Sequence, residues 1–152
     1  MLVAQGKLDE ALKAYRDSLA IFERLAKSDP GNARWQRDLS VAYGRVGEVL
    51  VAQGQMSEAL QAYRDSLAIA ERLTKSNPAN AGWQRDLVVS HGKLATLYER
   101  QGRIADALQE LTQGRDIMAA LVAIAPGNAQ WKKDLAWFER QIARLQRQTQ
   151  AQ

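Results

Sequence analysis

The sequence predicts an all-α fold: a solenoid of antiparallel helical hairpins with about six helices. Three observations carry this. Val3 to Leu50 aligns without gaps on Val51 to Tyr98, with about 30 of the 48 positions identical. Pro30, Pro78 and Pro126 recur at that same interval, and so do Trp35, Trp83 and Trp131. Between these breaks, apolar residues return every three or four positions, which is the period of a helix and not of a strand. Ala, Leu, Gln, Arg and Glu dominate the composition, and all favour helices.

The elements follow in order. A proline inside a helix removes a hydrogen bond and clashes with the preceding turn, so the three prolines mark breaks. Asn32, Asn80 and Asn128 lie two residues further on, where a side-chain oxygen can cap the next helix. The second kind of break is the Gln-Gly step at Gly6, Gly54 and Gly102, since glycine supplies the left-handed or tight conformation that ends a helix. The first helix is therefore expected at 7–28, with Ala11, Leu12, Tyr15, Leu19, Phe22 and Leu25 as its stripe. The second, 32–53, carries Trp35, Leu39, Ala42, Val46, Val49 and Leu50. The third, 56–76, carries Ala59, Leu60, Tyr63, Leu67, Ala70 and Leu73. The fourth, 80–101, carries Trp83, Leu87, Leu94, Leu97 and Tyr98. A fifth at 104–125 and a sixth at 128–147 follow, the sixth with Trp131, Leu135, Phe138, Ile142 and Leu145. Each of about 20 residues spans about 30 Å. Glu23 with Lys27, and Glu71 with Lys75, are spaced as ion pairs one turn apart. The recurring tryptophans occupy an apolar helix place and are expected in the core.

From Tyr43 through Ser66 the chain resembles the tetratricopeptide repeat. That family's first helix has a large residue, then Leu-Gly, then a large residue, and ends near a glycine. Tyr43, Val46-Gly47, Leu50 and Gly54 hold those places. Its second helix has Ala, an aromatic and a small residue, matched by Ala59, Tyr63 and Ser66. The first copy offers Gly6, Ala11, Tyr15 and Ser18, and the third His91, Leu94-Ala95, Tyr98, Gly102, Ala107, Leu111 and Gly114. The family repeat is about 34 residues, so this one is similar to a long-repeat, bacterial variety. The resemblance implies a right-handed solenoid forming a single domain over 1–152, with units 1–30, 31–78 and 79–126 and a closing helix 127–152. Gly47 and Ala59 would let two helices approach closely, with Tyr63 filling the space beside them.

Terminal repeats need polar outer faces. The last helix meets this with Lys132, Lys133, Glu139, Arg140, Arg144 and Arg147 off its stripe. The other end does not. Residues 1–5 supply only the last turn of a helix that should pair with 7–28, which leaves Ala11, Tyr15, Leu19 and Phe22 partly uncovered. Either the chain is a piece of a longer array, or these four residues mediate self-association into a homo-oligomer.

Catalytic chemistry is not evident. There is no Cys, hence no disulfide framework or thiolate metal site, and only one His, so no metal is expected. His91 takes the place of Tyr43 in the repeat and is expected to be packed. Ser18 and Ser66 have no recurring base beside them. The glycines never follow a strand, so they make no phosphate loop. The expectation is a binding scaffold without cofactor and not an enzyme. No apolar run approaches the roughly 18 residues of a membrane span. The start, Met-Leu-Val-Ala-Gln-Gly, is not a signal peptide, which makes the cytoplasm the default location.

The resemblance also implies where a protein or peptide partner sits: in a concave groove lined by first helices. By place, Val41, Gly44, Arg45 and Glu48 line it, then Val89, Gly92, Lys93, Thr96 and Arg100, then Trp137, Arg140, Gln141, Arg144 and Arg147. The net charge is +4, and the groove turns basic towards its end. An acidic or carboxylate-terminated segment anchored by Arg140 and Arg144 is therefore expected. A self-associating structural segment of a larger or engineered protein is the alternative, and a nucleic-acid binder the remotest class.

Overall fold

The computed structural model describes residues 2–151, with side chains from residue 4 onward. Six helices follow one another: α1 (Leu2–Ser28), α2 (Ala33–Ala52), α3 (Met56–Ser76), α4 (Ala81–Arg100), α5 (Ile104–Ile124) and α6 (Ala129–Gln150). The described residues contain no strand. The chain divides into two compact units, Met1–Asn77 with α1 to α3 and Pro78–Gln152 with α4 to α6.

All three prolines lie in turns. Asn32, Asn80 and Asn128 cap the helices that follow: each side-chain oxygen accepts from the backbone N–H of the tryptophan three residues on, at 3.1, 3.0 and 3.0 Å. The glycine breaks behave as expected in two copies. Gly54 and Gly102 have φ of +80° and +76°. At Gly54 the N–H donates to the Val51 carbonyl and the next N–H, of Gln55, reaches back to Leu50. Gly102 and Arg103 bond to Glu99 and Tyr98 in the same way. Both are paired 5→2 and 6→1 bonds that close a helix on a left-handed residue.

The first copy of this step departs from the expectation. α1 runs through Gly6 without a break, and Gly6 has no positive φ. The backbone is helical from Leu2 through Gly6 and onward to Ser28. A mid-helix glycine costs about 1 kcal/mol. The side chains of residues 1–3, part of the segment expected to pair with α1, lie outside the described residues. α6 also runs three residues past its expected end, to Gln150.

In the first unit, α2 packs between α1 and α3. Ala59 is fully covered, and the Tyr63 ring lies against Gly47, where an added Cβ would fall 2.5 Å from a ring carbon. Ser40 and Ser66, both buried, hold α2 to α3 reciprocally: each hydroxyl donates to the other's carbonyl, at 2.9 and 2.8 Å. In the second unit α5 packs between α4 and α6. Phe138 of α6 makes a different close approach, over Gly114 of α5, also 2.5 Å from an added Cβ.

Trp35, Trp83 and Trp131 are half-buried and not core residues. They stand in the first turn of their helices, where a helix end is covered on one side only. Glu23 does not join Lys27; it accepts a 2.8 Å hydrogen bond from the Tyr43 hydroxyl. Burial, together with that carboxylate, pushes the Tyr43 phenol up to about 12.

Candidate functional site

Among the described residues, five large apolar side chains are exposed: Ile21, Val41, Val89, Ile124 and Trp137. Three of them hold one place in the repeat. Val41, Val89 and Trp137 stand six residues after Trp35, Trp83 and Trp131 on the three helices that follow the prolines. They are 44, 49 and 36 % exposed. Amphipathic helices bury one stripe and leave polar residues opposite, so apolar exposure repeated at one register needs a reason beyond chance.

In the second unit two of these residues share a depression between α4 and α6. Arg85, Val88, Val89 and Gly92 line one wall, and Asp134, Trp137 and Phe138 the other, around a volume of about 200 Å³. The Trp137 ring stands edge-on to Phe138, with centroids 4.9 Å apart and planes at 87°. Arg85 bridges to Asp134 at 3.1 Å across one end. This pair ties α4 to α6. An added Cβ at Gly92 would meet Phe138 at 3.6 Å and Trp137 at 3.9 Å, ordinary contact distances. The missing side chain therefore widens the depression and is not forced by a clash.

The charged residues expected from the sequence to line a groove divide. Arg45 is exposed and lies over the Tyr15 ring at 5.9 Å, and Glu48 is exposed but engaged with the protein. Lys93 is half-buried and likewise engaged. Thr96 donates its hydroxyl to the Gly92 carbonyl, one turn back. Arg100 and Arg140 are exposed. Arg144 is different. Its guanidinium grips Glu99 with two hydrogen bonds, 2.5 and 2.9 Å, and also holds Gln141. The bond from Arg144 holds the Glu99 carboxyl below the usual carboxylate range. Arg144 thus already has a carboxylate in bidentate geometry, whereas Arg140 is exposed.

His91 is buried, 2 % exposed, with Nδ1 2.6 Å from Glu110 on α5. The sequence held a signal for this pair. Both places change together in this copy, where the preceding one has Tyr43 and Ala62. Among the described residues no three His, Cys, Asp or Glu side chains are grouped to hold a metal ion, and no helix is long and apolar enough to cross a membrane.

Ala11, Tyr15, Leu19 and Phe22, the expected uncovered residues of α1, are all half-buried. Their equivalents on α3 include Ala59 at 0 % and Tyr63 at 7 %.

Comparison with known proteins agrees with this architecture. A family model described as "Tetratricopeptide repeat" matches residues 1–30 and 39–78. Among solved structures, the crystal structure of BtubC (BKLC) from P. vanneervenii is similar over 94 % of this chain and 50 % of its own, at 21 % identity and a TM-score of 0.66. The chain thus spans about half the length of that protein. A de novo designed helical repeat protein, DHR64, aligns over 97 % of this chain and 74 % of its own, with 16 % identity and a TM-score of 0.48. No curated protein sequence matches. The likeness to BtubC is one of fold: an all-α helical repeat.

Proposed function

The chain carries tetratricopeptide repeats, and from that premise we propose that it is a protein-interaction scaffold, not an enzyme, whose post-proline helices hold a peptide or partner helix. The observation that carries this is the exposed apolar residue at one register of α2, α4 and α6: Val41, Val89 and Trp137. Recognition surfaces centre on a few apolar or aromatic anchors ringed by polar groups. Val89 and Trp137 flank a depression large enough for one apolar side chain of a partner. Arg140 stands one turn beyond Trp137, and we assign it the acidic flank of the partner. Arg144 serves by fixing the end of α6 against α4 through Glu99.

Selection from a displayed library of helical and extended peptides tests this. Selected peptides should lose about tenfold or more in affinity on Val89→Asp or Trp137→Ala. They should bind Ile124→Asp unchanged, since Ile124 is exposed at the far end of α5 outside this register. Peptides that bind all three variants alike would place the recognition surface elsewhere. Loss of preference for acidic flanks on Arg140→Ala is expected, and retention would remove Arg140 from the site.

A further inference from the structure

Four places around the depression between α4 and α6 differ from their equivalents elsewhere in the repeat. In the first unit Ser40 of α2 and Ser66 of α3 exchange two hydrogen bonds, each hydroxyl donating to the other's carbonyl. One repeat on, the same places on α4 and α5 are Val88 and Gly114, so this polar tie is absent from the second unit. On α6, Trp137 and Phe138 stand where α4 has Val89 and Ser90 and α2 has Val41 and Ala42. Two polar places have become apolar or bare just where two aromatic rings enter.

The Phe138 ring occupies the space that this exchange clears. Its Cζ would lie 2.8 Å from a Cβ at Gly114 and 3.6 Å from one at Gly92, so one ring edge is held between glycines of two helices. Its Cε1 would lie 2.5 Å from the added Cβ at Gly114. Any side chain there would drive the ring away from α5, towards Gly92. Gly114 is itself buried and does not line the depression. The Trp137 ring then stands edge-on against the ring that Gly114 seats.

The lining decides what chemistry fits. Both carboxylate oxygens of Asp134 are in use, Oδ2 by Arg85 at 3.1 Å and Oδ1 by Gln130 at 2.9 Å. Asp134 is therefore not available to a cationic ligand, and apart from this ion pair the lining is apolar. The volume of about 200 Å³ is below the roughly 300 Å³ at which small-molecule sites begin. It equals the liquid volume of about seven waters. A leucine or isoleucine side chain fits that space, and the double ring of a tryptophan does not.

We propose that the depression is a size-selective socket for one branched aliphatic side chain, leucine or isoleucine, of the bound segment, and that Gly114 sets its depth from outside through Phe138. The socket is part of the recognition surface proposed above and rests on that reading. Gly114 is a positioning residue, because its effect on the anchor is carried by the ring of Phe138.

Peptides selected on the unmodified chain from the displayed library are titrated by fluorescence anisotropy. Replacing their leucine or isoleucine anchor by alanine, or by tryptophan, should cost about tenfold or more in affinity, with the protein itself untouched. Gly114→Ala should weaken the same peptides about tenfold or more, and adding Phe138→Leu should restore binding, since the displaced ring is then gone. Phe138→Leu alone deepens the socket, so a fresh selection should move the anchor to phenylalanine, a gain that a folding defect cannot produce. Peptides that depend on Trp137 but carry no aliphatic anchor, or that keep affinity and anchor on Gly114→Ala, overturn the socket and leave the scaffold reading standing. Peptides indifferent to both Trp137→Ala and Val89→Asp overturn the two together.

Discussion

At the scale of single residues, the glycines separate packing from recognition. Gly47 and Gly92 both sit inside helices, where glycine costs about 1 kcal/mol relative to alanine. At Gly47 a methyl group would enter the ring of Tyr63, itself 7 % exposed and with no room to withdraw. Gly47→Ala should therefore destabilise by about 1–3 kcal/mol, the usual cost of overpacking a core. Gly92→Ala meets only ordinary contacts with Phe138 and Trp137, so it should raise stability by up to about 1 kcal/mol while narrowing the depression between α4 and α6. Urea unfolding followed by circular dichroism distinguishes the two signs, and equal effects would remove the packing argument. The His91–Glu110 pair belongs to this scale too. Glu110→Ala strands a buried imidazole without its partner, which should cost about 1–3 kcal/mol; a neutral result would mean that water replaces the carboxylate. The sequence places His91 in the core from its repeat position, but its partner is read only by noticing that two places change at once. Arg144 shows why such details resist sequence reading. A long side chain at a groove position has several carboxylates within reach, and its choice of Glu99 depends on a geometry that spacing alone does not supply.

At the scale of elements, one sequence step yields two structures. Gln-Gly at Gly54 and Gly102 ends a helix on a positive φ, while Gln-Gly at Gly6 lies inside α1. The dipeptide alone does not decide between these outcomes: only at Gly54 and Gly102 does the backbone reach the left-handed region, with the next N–H bonding back five positions. Opposite stability changes follow from alanine at equivalent places. Gly54→Ala must hold an L-residue at φ +80° and should cost about 1 kcal/mol. Gly6→Ala has no neighbour within 4 Å of its new Cβ and should gain up to about 1 kcal/mol from helix propensity. Thermal unfolding of the two variants checks this, and a loss of stability at Gly6 would show that a turn forms there after all. The helix starts after the prolines are legible to within a residue because each rests on one local interaction, the asparagine oxygen on the tryptophan N–H. The same tryptophans are misjudged as core because apolar periodicity counts a residue in the first turn as if it lay mid-helix, where neighbours stand on both sides.

At the scale of the whole molecule, the repeat gives the fold class and helix order, but it hides the division at Asn77 and Pro78. Pro78 plays the same part in the sequence as Pro30 and Pro126, so nothing local marks that point. Repetition also turns exposure into information, because each place is seen in more than one setting. Val89 and Trp137 are exposed together with their equivalent Val41, whereas Ile21 is exposed although its equivalent Ile69 is buried. The first pattern marks a surface that every repeat displays, and the second is confined to one copy. Val89 and Trp137 line the same depression between α4 and α6, so one apolar side chain of a partner should touch both. Val89→Asp and Trp137→Ala should therefore each weaken a library-selected peptide about tenfold or more, and the double variant should lose little beyond the more damaging single one. Titrations of one labelled peptide against the three variants read this out, and fully additive losses would mean two separate contacts in place of one shared depression.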